Sequence, residues 1–194
     1  MVDQTKSTLS LETSWHNSPV VDQRYSPGAA GTVTNNLKAL GIGEVYTIGI
    51  IGEDGVGTTL IQELESRGCR TDFMIQTSER VTPTYLKPIY CGYEGVRLAA
   101  ARFDIDTQTP TPLLLQTLLL TNLRRSLPMV NAVIIADQTP TDYLGGVTDL
   151  VRDHICHLAL QFPEKIFFAD SRARIGKYQN LLGKPNRFEA IRAV

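Results

Sequence analysis

Short apolar runs alternate with amphipathic stretches along most of the chain. Three runs are almost continuously apolar, as is typical of strands buried on both faces: 44–51 (EVYTIGII), 131–136 (NAVIIA) and 165–169 (KIFFA). Between them, apolar residues recur at helical spacing. This alternation predicts an α/β protein with an open, mostly parallel sheet and helices on both faces.

Caps and turn residues mark where the helices begin and end. A first helix is expected from Thr32, as its N-cap, to a C-terminal glycine at Gly41. Thr111 and Pro112 suit the N-cap and first position of another helix, which runs to about residue 125. A further helix is expected over 148–161.

Two other segments have the composition of a peripheral sheet. Residues 82–90 and 97–105 are strand-like and joined by a Gly-containing loop, which predicts a hairpin. Residues 8–24 are polar with short strand-like pieces. We expect these elements, about 8–24 and 82–104, to form a small β lid on a single domain of residues 1–194. Because lid sheets leave open edges, a homodimer through the lid is predicted.

Composition excludes several classes of function. The chain has 194 residues, 42% hydrophobic and 20% charged, with a net charge of −1. Such a balance gives no electrostatic basis for binding nucleic acid or an anionic membrane. The leucine-rich run 113–123 is too short and too polar to span a bilayer. Three widely spaced cysteines suit free thiols, and with no visible signal peptide they predict a cytoplasmic location.

The stretch 25–41 (YSPGAAGTVTNNLKALG) carries the most informative motif. A turn and small residues lead into a helix N-terminus, where unpaired N–H groups favour an anion or a close-approaching ligand. It resembles the glycine-rich sugar-site motif of the ribokinase-like (PfkB) carbohydrate kinases, and the helix end Asn36-Leu37…Leu40-Gly41 matches that family. Two positions depart from the pattern, since Ala29 replaces a glycine and Thr32 replaces an asparagine.

Further motifs agree with this resemblance. Gly52, Asp54 and Gly57 match the family's G-x-D-x-x-G loop, although a cap for the following helix is the favoured role of Asp54. A P-loop is excluded because no G-K-[ST] follows. Arg102 and Asp104 lie on one face of a strand and match an R-x-D beside the family's sugar pocket. The residues that the resemblance assigns to the substrate are Gly28, Ala29, Thr32, Asn36, Lys87, Arg102 and Asp104.

The C-terminal third holds the expected nucleotide residues. Asp137 and Asp170 follow two buried strands, where ligands of parallel sheets gather, although either could serve as a turn or helix cap. Asn186 and Glu189 match the family's N-x-x-E motif after a K-P step at Lys184. The resemblance implies that this pair organises Mg²⁺ through water, together with the phosphates of ATP. The same spacing also fits a capping box.

A transition-metal site has little support. His154, Cys156 and His157 lie close in sequence, but their spacing matches no zinc motif. A solvated helix face is the favoured interpretation of this cluster.

The resemblance predicts a ribokinase-like three-layer fold and an ATP-dependent sugar or sugar-phosphate kinase. Residues 80–88 (RVTPTYLKP) and the R-x-D are most similar to the heptose-phosphate kinase type. The family extends further at both ends, so the chain is expected to be truncated. It contains no G-A-G-D, the segment with the family's catalytic base; we therefore expect no catalytic residue and no turnover in the chain alone.

Two other functions compete with a sugar kinase. An inert sugar-binding or oligomerisation module of the same fold is favoured by the departures at Ala29 and Thr32 and by the missing base. A dinucleotide-dependent oxidoreductase is disfavoured, because no G-x-G-x-x-G follows a strand.

Overall fold

The computed structural model describes residues 1–193, which form two compact units. Unit 1 comprises Met1–Ser26 and Pro83–Asp106. Unit 2 comprises Pro27–Thr82 and the chain from Thr107 onward.

Helices and strands are numbered along the whole chain. The strands are β1 (Val2–Asp3), β2 (Thr8–Leu9), β3 (His16–Asn17), β4 (Tyr46–Gly52), β5 (Arg70–Thr77), β6 (Thr84–Leu86), β7 (Ile89–Cys91), β8 (Leu98–Ala99), β9 (Phe103–Ile105), β10 (Ala132–Asp137), β11 (Ile166–Ser171) and β12 (Leu182–Gly183). The helices are α1 (Gly28–Ala39), α2 (Gly55–Ser66), α3 (Leu113–Ser126), α4 (Asp149–Gln161) and α5 (Arg187–Arg192). Short 3₁₀ turns occupy Gln4–Lys6, Leu127–Met129 and Ile175–Lys177.

Unit 2 contains the predicted parallel strands. β4 pairs with β5, and β10 pairs with β11, which pairs with β12; all three pairings are parallel. The α/β class is therefore confirmed. The prediction that strands 45–51, 132–136 and 165–169 share one sheet is wrong, because no ladder in the described chain joins the β4–β5 sheet to β10–β12.

One hydrophobic core nevertheless joins the two sheets. Ile50 of β4 and Ile135 of β10 belong to the same buried cluster as Leu119 of α3 and Val151 of α4. The two sheets are thus held together by packing on α3 and α4 rather than by backbone hydrogen bonds.

Helices cover both faces of the β4–β5 sheet. Ile48 and Ile50 pack into the main core with α3. Val45 is an odd number of residues away from both, and it packs with Leu64 of α2 in a second cluster. Because successive strand side chains point to opposite faces, the clusters lie on opposite sides of this sheet. Leu37 of α1 packs against the second cluster, which completes a helix–sheet–helix arrangement.

The first helix begins earlier than the sequence indicates. It starts at Gly28, not near Thr32, and the hydroxyl of Thr32 donates to the carbonyl oxygen of Gly28 inside the helix (2.8 Å). Gly31 makes the early start possible, because a Cβ there would lie 2.6 Å from Cγ of Pro27. The predicted C-terminal glycine is confirmed, since Gly41 has φ +82° and follows the last turn.

Unit 1 consists of short paired strands without a core of its own. The predicted hairpin forms in two stretches, with β6 antiparallel to β9 and β7 antiparallel to β8. β2 and β3 form a second antiparallel pair, and β1 runs parallel to β7. Every residue of unit 1 is described, and none of them is buried.

Candidate functional site

The start of α1 presents small, exposed residues around a free helix N-terminus. Gly28 has φ +68°, a conformation that favours glycine, and a Cβ there would meet nothing within 4 Å. Gly28, Ala29, Thr32 and Asn36 are all exposed. Pro27, the N-cap, supplies no side-chain acceptor, so the first N–H groups of α1 are left for solvent or a ligand.

One polar residue of this helix, Asn35, was not among the predicted site residues. The side-chain oxygen of Asn35 is buried and has no hydrogen-bond partner among the described residues. An unsatisfied buried acceptor costs about 1–3 kcal/mol, so native proteins rarely leave one without a reason. Only its proximity to Asn36 in sequence could have indicated it.

Asp54 ties the loop before α2 to a distant segment. Its carboxylate accepts one hydrogen bond from the backbone N–H of Gly57 (2.7 Å), as the predicted helix cap, and another from that of Thr82 (2.8 Å). Burial on its own would raise the pKa of Asp54, but the backbone hydrogen bonds from Thr82 and Gly57 outweigh it, and the pKa lies below its ordinary value.

The loop needs glycine at positions 52 and 57 because the segment 80–82 passes too close for a Cβ at either position. A Cβ on Gly52 would lie 2.6 Å from the carbonyl oxygen of Arg80, and a Cβ on Gly57 would lie 2.8 Å from the hydroxyl of Thr82. Thr82 in turn accepts a hydrogen bond from the N–H of Gly52 (3.0 Å). The G-x-D-x-x-G loop is therefore built around the segment 80–82, the last residues of unit 2 before the chain enters unit 1.

Arg80 fixes the other side of the same segment. Its guanidinium donates to the hydroxyl of Thr111 (3.3 Å) and to the carbonyl oxygen of Leu144 (2.8 Å), while its Nε is buried without a partner among the described residues. Burial lowers the pKa of Arg80. Thr107, where the chain re-enters unit 2, donates to the carbonyl oxygen of Val81 (3.2 Å), so both crossings between the units are anchored in unit 2.

The predicted substrate residues of unit 1 are exposed and partly paired. Arg102 and Asp104 form a two-point ion pair, with Nε–Oδ1 and Nη2–Oδ2 both at 2.6 Å. The hydrogen bond that Arg102 donates to Asp104 raises the pKa of Arg102. The guanidinium also lies over the ring of Tyr85 at 4.2 Å. Lys87 follows β6 and is exposed, so the two strands present two cations and one carboxylate.

Asp137 occupies the predicted end of β10, but its carboxylate is not open to a ligand. It is 3% exposed and accepts hydrogen bonds from Arg174 (Nη2, 2.6 Å), Ser171 (2.7 Å) and Tyr178 (3.2 Å). Burial, reinforced by the charge of Asp137, raises the pKa of Tyr178, so the phenol remains a donor. Asp137 thus holds the turn after β11 in place.

The other predicted nucleotide residues remain at the surface. Ala136 and Asp170 are register partners, which puts Asp170 on the sheet face opposite to Asp137. Asp170 forms an ion pair with Lys184 (3.6 Å). Asn186 and Glu189 form a complete capping box on α5: Asn186 Oδ1 accepts from Glu189 N (3.0 Å), and Glu189 Oε2 accepts from Asn186 N (2.7 Å).

The described residues contain neither a membrane-spanning helix nor a cluster of metal-ligating side chains. Over residues 1–193, no helix is long and apolar enough to cross a bilayer. In the same part of the chain, His, Cys, Asp and Glu form no group of three or more that could hold a metal ion. The ring Nδ1 atoms of His154 and His157 each contact a carbonyl oxygen of their own helix, at 2.9 and 2.7 Å.

Comparisons with known proteins agree on one family. The profile described as pfkB family carbohydrate kinase matches residues 2–124. The bifunctional protein HldE of Helicobacter hepaticus (strain ATCC 51449 / 3B1) is 26% identical over 176 residues, which cover 88% of this chain and 34% of that protein. The chain therefore spans about a third of the length of this curated relative.

Solved structures share the fold at low sequence identity. A putative sugar kinase from Clostridium perfringens matches with a TM-score of 0.51 and 12% identity, over 99% of this chain and 60% of that one. Fructokinase from Xylella fastidiosa matches with a TM-score of 0.50 and 16% identity, over 93% of this chain and 50% of that one. These likenesses establish a ribokinase-like α/β fold.

Proposed function

Because the chain belongs to the pfkB family of carbohydrate kinases, we propose that it carries the sugar-binding part and one side of the nucleotide site of an ATP-dependent sugar or sugar-phosphate kinase. The observation that carries this proposal is the family match over residues 2–124. That range includes the start of α1, the Asp54 loop and the Arg102–Asp104 pair.

Each unit holds candidate sugar-contacting residues, and the two sets are described separately. In unit 1, Lys87 and Arg102 supply cations suited to a phosphate, and Asp104 supplies a carboxylate suited to sugar hydroxyls. In unit 2, the exposed start of α1 offers its N–H groups. Gly28, Ala29 and Thr32 lie in its first turns, and Asn36 lies one turn beyond Thr32. The similarity of residues 80–88 to the heptose-phosphate kinase type favours a heptose phosphate as the sugar.

The nucleotide side would be formed by Asp170, Lys184, Asn186 and Glu189, with Asp137 acting indirectly through the turn that it holds. Direct coordination of Mg²⁺ does not fit Asn186, because its side-chain oxygen already accepts from the N–H groups of Phe188 and Glu189. A water-mediated contact fits Glu189, whose Oε1 is not used by the capping box. Mg²⁺ commonly keeps several waters and uses only one or two carboxylates. When bound, the ion would neutralise phosphate charge.

A homodimer through unit 1 is part of the proposal. Large apolar side chains of this unit are exposed, among them Leu11, Trp15, Tyr93, Leu98 and Phe103. A unit of this size with no buried residue gains little from its own hydrophobic contacts. A second copy, pairing with open strand edges and covering the apolar side chains, would supply the missing burial.

The three free thiols support a reducing, cytoplasmic location.

A catalytically inert sugar-binding or oligomerisation module is the second candidate. It is favoured by the departures at Ala29 and Thr32 and by the lack of G-A-G-D in the 194 residues. General-base assistance typically contributes ~100- to 10,000-fold, so we expect no measurable turnover from this chain alone.

The test combines binding and turnover. The chain is titrated by calorimetry with heptose 7-phosphate, with unphosphorylated mannose and, separately, with ATP and Mg²⁺. We expect a lower Kd for the sugar phosphate than for mannose. A coupled ADP-release assay should show no turnover by the chain and magnesium-dependent turnover by a version that includes a G-A-G-D segment. Sugar-phosphate binding with an inactive extended protein would favour the inert sugar-binding module. No binding of any sugar would contradict both the kinase and the sugar-binding module, and would leave the oligomerisation module.

A further inference from the structure

A pocket of about 380 Å³ lies in unit 2, at the edge where β4 and β5 begin. We call it the amino-edge pocket. It is lined by Tyr46 of β4, by Arg70, Asp72 and Phe73 of β5, by Arg125 near the end of α3, and by Met129 of the following 3₁₀ turn. β4 spans seven residues, so its carboxyl end lies roughly 20 Å away. The pocket is therefore at the opposite end of this sheet from the Asp54 loop.

An extra residue in β5 brings its side chains into the amino-edge pocket. Tyr46 is the register partner of Arg70. Ile48, two residues after Tyr46, is the partner of Phe73, three residues further along β5. Because opposed residues share a face, Arg70 and Phe73 lie on the same face as Tyr46, whereas residues three apart in a regular strand lie on opposite faces. Such bulges often re-aim a side chain next to a functional site.

Two aromatic rings form the floor of the pocket, and each has a guanidinium over it. Phe73 is buried and Tyr46 is half-buried, with ring centroids 5.8 Å apart. The guanidinium carbon of Arg70 lies 5.8 Å from the centroid of the Tyr46 ring. That of Arg125 lies 5.6 Å from the centroid of the Phe73 ring. Met129, which is 46% exposed, adds a flexible apolar wall.

Only one of the two guanidinium groups has a carboxylate partner. Arg70 donates two hydrogen bonds to the carboxylate of Asp72 (3.0 and 3.4 Å), and this contact raises the pKa of Arg70. Glu44 adds a further negative charge near Arg70. Arg125 is exposed and has no hydrogen bond or ion pair with any of residues 1–193. The pocket thus presents one unmatched positive charge beside an aromatic floor.

α3 fixes the position of the floor before any ligand binds. The side-chain amide of Asn122 donates to the carbonyl oxygen of Phe73 (3.0 Å). Leu123, the next residue of α3, is buried in the main core. The helix end that carries Arg125 is therefore held against the start of β5. Such preorganisation reduces the entropy lost on binding.

We propose that the amino-edge pocket binds a small aromatic carboxylate. The carboxylate pairs with Arg125, whose parallel N–H donors match its two oxygens. The ring lies against Tyr46, Phe73 and Met129, where aromatic and sulfur–aromatic contacts add to the burial of apolar surface. One unmatched cation suits a single negative charge better than a phosphate, which carries nearly two. At about 380 Å³ the pocket is toward the lower end of small-molecule sites, which suits a one-ring ligand.

The experiment titrates the isotope-labelled 194-residue chain with three probes and follows its backbone amide signals by NMR. Benzoate carries both the charge and the aromatic ring, benzamide lacks the charge, and cyclohexanecarboxylate lacks the aromatic face. We expect benzoate to shift the amide signals of Tyr46, Phe73 and Arg125. Its Kd should be about tenfold lower than that of benzamide, because a charge-assisted contact is gained. It should be about threefold lower than that of cyclohexanecarboxylate, because ring contacts are gained.

Two variants test the two halves of the site. Arg125→Gln should raise the Kd for benzoate about tenfold. Its matched control is Arg124→Gln, the neighbouring exposed arginine, which does not line the pocket and should leave the Kd unchanged. Tyr46→Leu keeps apolar bulk but removes one ring, so it should reduce the preference for benzoate over cyclohexanecarboxylate. Circular dichroism of each variant checks that the fold is retained.

Several results would overturn the proposal. They are no shift of the pocket amides by benzoate at about 10 mM, an equal Kd for the native chain and Arg125→Gln, and an equal loss in the Arg124→Gln control. Shifts confined to the carboxyl ends of the strands would place the carboxylate elsewhere and would also overturn it. Neither sugar nor nucleotide binding is needed for any of these measurements, so the proposed function and this site can fail independently.

Discussion

The carboxylate of Asp54 accepts the backbone N–H of Thr82, 28 residues further along the chain, at 2.8 Å. The same carboxylate caps α2 through the N–H of Gly57. One side chain therefore fixes both the start of a core helix and the last residue of unit 2 before the chain enters unit 1. Both partners are donors, so the position requires two acceptor oxygens.

Replacing Asp54 with Asn should destabilise the protein by about 1–3 kcal/mol, because an amide has one acceptor oxygen and its NH₂ would face a second N–H. Urea unfolding followed by circular dichroism measures the change. Glu53→Gln is the matched control, since that exposed neighbour has no bonded side-chain partner among residues 1–193. A loss no larger than that of the control would contradict the assigned role.

The same pair predicts a pH dependence. The pKa of Asp54 is lowered on folding from its model-compound value of 3.8. The stabilisation is therefore complete above the unfolded pKa and is lost as the pH falls through the lower folded pKa. The difference in unfolding free energy between the native chain and Asp54→Asn should shrink as the pH falls below 3.8. A difference that stays constant at acid pH would contradict this sign.

Gly57 and Gly55 should respond in opposite ways to alanine. A Cβ on Gly57 would lie 2.8 Å from the hydroxyl of Thr82, whereas a Cβ on Gly55 would meet nothing within 4 Å. We expect Gly57→Ala to destabilise by about 1–3 kcal/mol through overpacking. Gly55→Ala should be neutral or stabilise by up to about 1 kcal/mol, because alanine favours the helix. The unfolding midpoints of the two variants test this difference. Equal midpoints would show that the loop shifts to make room for the Cβ on residue 57.

The buried pair of Asp137 and Arg174 should matter far more than the surface pair of Asp170 and Lys184. Asp137→Asn keeps the shape but leaves the 6%-exposed guanidinium partly unpaired, which should cost about 3–5 kcal/mol. Asp170→Asn breaks a 3.6 Å pair in which Lys184 is 62% exposed, and it should cost less than about 1 kcal/mol. Chemical denaturation of both variants compares them. Similar losses of unfolding free energy in the two variants would mean that the contacts of Asp137 stabilise the fold no more than a surface ion pair does.

Light scattering tests the proposed dimer. The native chain should show about twice its mass of 21.4 kDa at high concentration. Leu98→Glu in unit 1 should give the monomer, because a charge would be buried in the interface. Leu160→Glu on α4 is the matched control, since the two leucines are 62% and 60% exposed. A monomeric native chain, or dimer loss only in the control, would count against an interface in unit 1.

Arg102→Ala should weaken sugar-phosphate binding about tenfold or more while leaving ATP binding unchanged, because a charge-assisted contact is lost. Arg97→Ala is the control, an exposed arginine of the same unit without a bonded partner among the described residues. Calorimetric titration of each variant with heptose 7-phosphate gives the comparison. Unchanged affinity for the sugar phosphate would remove Arg102 from the site.

The sequence by itself determined the local features. The strand segments at β4, β10 and β11, the cap role of Asp54 and the glycine after α1 were predicted because each depends on residues within a few positions. The spacing of Asn186 and Glu189 fitted a capping box for the same reason, and that box forms. Matching motifs also indicated the family.

Only the tertiary structure decided which of these groups are buried and what they contact. Asp137 stands where a ligand-binding carboxylate was expected, but Arg174 and Tyr178, 37 and 41 residues later, occupy its oxygens. The two parallel sheets share a core without a common ladder, which no pattern along the chain records. Periodicity and caps are set by neighbours in sequence, whereas burial and pairing depend on residues that folding brings together from far apart.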